Sequence, residues 1–260
     1  MSDAPASAPQ PRPLSRAEEE RRRLLRTIVV GGAVTCATLA GWLQATLVQA
    51  APRLRPPGAL DEKAFLAACI KCGQCVQVCP VQAIRLADLL EGVGNGAPYI
   101  DARAQACDFS CDATQCVLAC PTGALSHLID KKEQVTMGVA RLTRPEACLA
   151  RQGKGFKGTA RGKDFPGLLR YVDIDRWKPK PVAGHPYDLP LCDLCVRECP
   201  IKGAIALEPV AGDASGKART PVVKDTCVGC GVCEMICPAE PAAITIEVKV
   251  NGREPKRAGS

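Results

Sequence analysis

Aromatic side chains are scarce, with 4 Phe, 3 Tyr and 2 Trp making up 3% of 260 residues. Large rings therefore cannot dominate a core, and the chain needs another source of cohesion. Long basic runs interleaved with aromatics are missing too. The 34 Lys and Arg set against 27 Asp and Glu leave a modest charge of +7, which does not describe a nucleic-acid groove. There is no Ser-His-Asp grouping, phosphate loop or dinucleotide glycine fingerprint; the run from Gly92 to Gly96 is too short and lacks a strand–helix context. Histidine occurs twice, and His127 and His185 are expected to be surface or structural residues. No catalytic constellation is left, which points away from an enzyme.

What is abundant is cysteine, at 17 residues. Disulfides, structural zinc and iron–sulfur clusters are the three ways such a chain is held together. Four times the chain reads Cys-x-x-x-Cys-Pro followed shortly by Ala and an aliphatic residue. These are Cys75 to Cys79-Pro80 with Ala83-Ile84, and Cys116 to Cys120-Pro121 with Ala124-Leu125. Then come Cys195 to Cys199-Pro200 with Ala204-Ile205, and Cys233 to Cys237-Pro238 with Ala243-Ile244. Four copies are an internal repeat, and a missed repeat misassigns a fold. Each copy reads as half of a small α+β unit. Extended segments at Ala97–Ile100 and Pro221–Val223 lead into the second and fourth copies. A cysteine loop follows, then a helical turn around the Pro, then an extended piece such as Thr245–Val250. Turns are expected at Gly92–Gly96 and Gly212–Gly216.

The first and fourth copies carry the full C-x2-C-x2-C-x3-C-P spacing of bacterial ferredoxins, at Cys69, Cys72, Cys75, Cys79 and at Cys227, Cys230, Cys233, Cys237. Three thiolates two residues apart wrap one face of a cubane. The fourth is expected to begin a helix pointing away and to bind the neighbouring cluster, as in two-cluster ferredoxins. Gly73, Gly229 and Gly231 permit the positive φ of such a loop and free backbone N–H groups to face sulfur. Zinc favours two C-x2-C pairs about 15–20 residues apart, and cysteines two apart in a loop make poor disulfides. The second copy is looser: Cys107, Cys111, Cys116, Cys120. The third has only Cys192, Cys195 and Cys199 nearby, and Cys148 is the simplest fourth ligand. Setting aside Cys36 leaves sixteen cysteines, four for each of four [4Fe–4S] clusters. Without Cys148 the third cluster would be [3Fe–4S] or would expose an open iron. The regular copies lie outside and the irregular ones inside, which suggests pairing first with fourth and second with third; sequential pairing is the alternative.

At the amino terminus, residues 1–16 are rich in Ala, Pro and Ser and read as disordered. Arg21, Arg22, Arg23, Leu24, Leu25 and Arg26 follow, and positions 27–52 carry no charge. A basic patch before an apolar run is the layout of an export signal, and Arg-Arg-x-Leu-Leu-Arg resembles the twin-arginine signal, which carries proteins already folded. Val48, Gln49 and Ala50 make an approximate cleavage site, while the apolar stretch is also long enough to span a bilayer. The arginines before it outweigh Arg53 and Arg55 after it, which would hold the tail in the cytoplasm. Cleaved signal and retained anchor both stand.

With that start and four motifs in this order, residues from about 20 to 250 resemble the MauM/NapG family of ferredoxin-type proteins. The resemblance rests on the first and last motifs, the Cys111 to Ala124 segment, Cys148-Leu149-Ala150, and Cys192-Asp193-x-Cys195 with Cys199-Pro200. It implies a periplasmic or periplasm-facing electron carrier. Its partners would be a membrane quinol-oxidising ferredoxin-type protein and a periplasmic oxidoreductase of nitrate reductase or methylamine dehydrogenase type. The stretch from Arg151 to Leu191 departs from the family as an insert. Its nine Lys or Arg against four Asp read either as a solvated loop over a cluster or as a docking face for an acidic redox partner.

The expected fold is α+β: two ferredoxin-like dicluster modules built from four Cys-rich repeats, preceded by a signal or transmembrane helix. Its parts are a disordered basic tail over 1–26, an apolar segment over 27–52 and a four-cluster domain over 53–260 with insert 151–191. Two other functions fit the same cysteines: the electron-transfer subunit of a membrane molybdopterin oxidoreductase, or a maturation factor for a periplasmic redox enzyme.

Overall fold

The computed structural model describes residues 15–47, 52–88, 94–111, 113–175, 177–213 and 216–248. The tail before Ser15, the approximate cleavage site at Val48–Ala50, parts of two expected turns (residues 92–93 and 214–215) and residues 249–250 lie outside them. The chain divides into two units, 1–49 and 50–260.

In the first unit, helix α1 runs over Arg16–Leu47. It starts earlier than expected. The disordered tail assigned to 1–26 is corrected from Arg16 onward, because Ser15 and Glu18 cap the helix reciprocally. The Ser15 Oγ and N–H each lie 2.9 Å from the Glu18 carboxylate, and the Glu18 N–H faces Ser15 Oγ. The arginine cluster therefore sits on the same helix as the apolar run. Among the described residues α1 is the one helix long and apolar enough to cross a bilayer.

The second unit is built from short helices and two-stranded antiparallel ribbons. Its helices are α2 (Glu62–Ala68), α3 (Gln74–Gln77), α4 (Gln115–Leu118), α5 (Leu194–Arg197) and α6 (Val232–Ile236). Strands β1 (Ile84–Leu86) and β2 (Pro98–Ile100) pair with Ile84 opposite Ile100. Strands β8 (Ile205–Pro209) and β9 (Arg219–Val223) pair with Ile205 opposite Val223. Both ribbons join the end of one cysteine motif to the start of the next. Strand β3 (Gly138–Leu142) takes β10 (Ile244–Val248), closing the chain around the third and fourth motifs. The bridge between Ala59 and Leu125 closes the first and second motifs in the same way. Two modules result, over residues 54–125 and 138–248.

Each expected helical turn exists, but it is displaced from where the sequence pattern put it. The turn carries the last cysteine before the Cys-Pro pair (Cys75, Cys116, Cys195 or Cys233) and ends ahead of that pair, and no helix begins at the fourth cysteine. Proline lacks the donor a helix needs and pushes the preceding residue out of the helical region. The insert is also not a plain loop. Strands β4 (Phe156–Thr159) and β7 (Pro186–Leu189) pair, and β5 (Leu168–Leu169) pairs with β6 (Lys180–Pro181) inside them. Leu169, Tyr171, Val182 and Tyr187 are buried beneath these ribbons.

Candidate iron–sulfur centres

Helix α3 packs on α4 and α5 packs on α6. The expected nesting of the first motif with the fourth is thereby corrected to sequential pairing, because the ribbons β1–β2 and β8–β9 are too short to carry a motif past its neighbour in sequence. The cysteines gather accordingly. Cys69, Cys72, Cys75 and Cys120 line one cavity, with Pro98, Pro121, Ala124 and Leu125 around them. Cys148, Cys192, Cys195 and Cys237 line another, with Pro221, Pro238, Ala243 and Ile244 in the matching places. Cys107, Cys111 and Cys116 interact electrostatically with one another, and Cys111 and Cys116 with Cys79. Cys199, Cys227, Cys230 and Cys233 form the fourth such set. In every pair the cysteine before proline crosses to its partner motif.

Cys148 stands where Cys69 stands in the other module. Both follow a short helical segment with nearly the same backbone conformation, φ −74°, ψ 112° at Cys69 and φ −76°, ψ 115° at Cys148. The Cys69 N–H donates to the Phe65 carbonyl and the Cys148 N–H to the Pro145 carbonyl. The insert thus separates the first thiol of a motif from the remaining three. Cys36 lies exposed on α1 in the other unit.

The donor sets fit iron–sulfur cages. In the first and fourth motifs the Ala that follows the Cys-Pro pair turns its N–H back to sulfur: Ala83 to Cys79 Sγ at 3.3 Å and Ala243 to Cys237 Sγ at 3.4 Å. Such donors stabilise thiolate and tune potential. Among the described residues no three His, Cys, Asp or Glu side chains converge on one metal ion; the thiols ring a space instead. The Ser110 and Thr114 hydroxyls beside the second set are buried without a hydrogen-bond partner, where an acceptor is expected.

Burial disfavours bare thiolates here. It is the main cause, with neighbouring thiols adding to it, of the rise to about 11 at Cys75 and about 12 at Cys116. At Cys192 burial outweighs the N–H of Leu194 and gives about 11. Cys120 is the exception: burial opposes ionisation, but the N–H groups of Leu125, Thr122 and Gly123 with the Thr122 hydroxyl outweigh it. A metal that binds these pockets must displace thiol protons. The His127 Nε2–H donates to the Cys120 carbonyl, 2.9 Å away, and His185 stacks on Tyr171.

The modules meet along the loop of residues 101–110. The Cys107 N–H donates to the Cys230 carbonyl at 3.2 Å. The Arg103 guanidinium donates to the carbonyls of Glu234, Cys237 and Ala239. Buried Asp108 accepts the N–H groups of Ser110 and Arg170. Two arginines of the insert are used inside: Arg161 donates to the carbonyls of Arg103 and Met235, and Arg170 to those of Phe109 and Ser110. Sequence reasoning counted these as surface charge. Their only signal was weak strand alternation near Phe156 and Pro186, so the seam between modules went unread.

Crossed cysteine pairs on ribbon-linked loops define a protein of the dicluster ferredoxin type. In agreement, the family model described as "4Fe-4S dicluster domain" matches residues 68–124 and 190–240, one segment in each module. The chain is 38% identical to ferredoxin-type protein NapG of Escherichia coli (strain K12) over 232 residues, covering 87% of this chain and 84% of that protein. It is 36% identical to methylamine utilization ferredoxin-type protein MauM of Methylorubrum extorquens over 248 residues, 92% of this chain and 95% of the relative. NapG of Haemophilus influenzae matches at 38% over 235 residues, 87% and 71% of the two chains. No solved structure gives a significant match. The chain belongs to the NapG/MauM family of ferredoxin-type 4Fe–4S electron-transfer proteins.

Proposed function

We propose that this chain carries four [4Fe–4S] clusters and relays electrons, one at a time, from a membrane quinol-oxidising partner to a periplasmic oxidoreductase, without a substrate site of its own. The ligand sets are Cys69, Cys72, Cys75, Cys120; Cys79, Cys107, Cys111, Cys116; Cys148, Cys192, Cys195, Cys237; and Cys199, Cys227, Cys230, Cys233. The clusters supply the redox chemistry. The protein holds the thiolates, directs N–H groups at sulfur and excludes water. The observation that carries the reading is the crossing of each Cys-Pro cysteine, which makes four complete sets of four only when Cys148 is included.

Replacing Cys148 by Ser tests the ligand assignment. The variant should lose about four irons, or about one where three thiols keep a [3Fe–4S] cluster, while Cys36→Ser keeps its full iron content. Full iron in Cys148→Ser would overturn it. Helix α1, with its arginines leading into an apolar run, supports export by a twin-arginine-type signal and residence on the periplasmic side. Protease added to spheroplasts should degrade the cysteine-rich unit, and protection would refute that location.

A further inference from the structure

We infer that the Thr114 hydroxyl is a positioned hydrogen-bond donor to the sulfur of the cluster held by Cys79, Cys107, Cys111 and Cys116, and that it raises that cluster's midpoint potential. This rests on the ligand assignment just proposed.

Three observations converge on this residue. Thr114 is 3% exposed and its Oγ1 is buried without a partner, a state that a hydroxyl seldom keeps. Its backbone is left-handed, at φ 43°, ψ 55°. That conformation is an outlier for a β-branched residue, so it persists where something holds it. The equivalent position two residues before the helical cysteine is Gly73 at φ 75° in the first motif and Gly231 at φ 91° in the fourth. Glycine enters this region without steric penalty. The second motif therefore keeps a strained threonine where glycine would be relaxed, and what threonine adds is a methyl and a hydroxyl. The neighbouring Gln115 N–H already faces the Cys111 sulfur, and Cys116 lies two residues on. A donor to cluster sulfur favours the more negative reduced state, so it raises the potential.

The test is an anaerobic redox titration followed by EPR on the full chain and three variants. Thr114→Ser keeps the hydroxyl and should keep all four midpoints. Thr114→Val and Thr114→Gly should lower one midpoint and leave three in place, and Thr114→Gly should unfold at the same or a higher temperature because it relaxes the backbone. The glycine variant keeps the test decisive if valine packs badly. Unchanged midpoints in Thr114→Gly, or a shift of all four, would overturn the inference while leaving the ligand assignment intact. Wild-type protein without four cluster signals would sink the assignment, and the inference with it.

Discussion

The two modules share one plan and differ in how far water reaches their cysteines. In the module of residues 54–125, Cys72 is exposed and Cys69, Cys79, Cys111 and Cys120 are partly so. In the module of residues 138–248, Cys192 and Cys195 are partly exposed and Cys148, Cys199, Cys227, Cys230, Cys233 and Cys237 are buried. Close backbone packing makes the difference. A Cβ on Gly229 would run into the backbone of Gly138, and one on Gly231 would come 2.7 Å from the Ala102 side chain, whereas one on Gly73 would meet nothing. Lys71 sits in the left-handed region at the place Gly229 occupies, with its side chain outside. Solvent exposure helps to set cluster potential, so the first module offers an accessible port and the second a shielded interior. The hydrogen bond from Cys107 to Cys230 joins one to the other.

The largest effect should follow from removing the shield. Gly229→Ala combines a left-handed alanine with a backbone collision, for a loss of about 2–5 kcal/mol. Denaturant unfolding of anaerobic protein should show it, with iron lost from the second module. Next in size is a kinetic contrast. A strong iron chelator under mild oxidation should strip iron in two phases, the fast one from the site of Cys69, Cys72, Cys75 and Cys120. A single phase would erase the distinction between port and interior. The smallest effect belongs to Gly73→Ala, where only the positive φ is strained and space is open. It should cost about 1–2 kcal/mol and leave iron content unchanged; a loss equal to that of Gly229→Ala would show that packing does not separate the modules.

The cysteine spacing made the candidate ligands legible, because thiolate geometry is local. It also made the ribbons legible where Ala97–Ile100 and Pro221–Val223 lead into motifs. Pairing was not legible, since it is fixed by the short β1–β2 and β8–β9 links rather than by motif regularity. Cys148 was singled out by counting, and the structure sets it in one cavity with Cys192, Cys195 and Cys237, in a backbone conformation that matches Cys69. The insert's arginines were misjudged because composition does not distinguish Lys157, exposed beside Asp188, from Arg161, whose guanidinium closes carbonyls at the seam. The start of α1 was readable in Ser15 and Glu18 as a capping pair, and was overlooked beside the Ala- and Pro-rich tail.

Iron and acid-labile sulfide content of the anaerobically purified chain, read beside its low-temperature EPR spectrum, bears on the whole structure at once. Four sets of crossed thiolates predict about sixteen iron atoms and about sixteen sulfides per chain, with reduced signals from four interacting clusters. Zinc in their place, thiols joined as disulfides, or about eight irons per chain would contradict it.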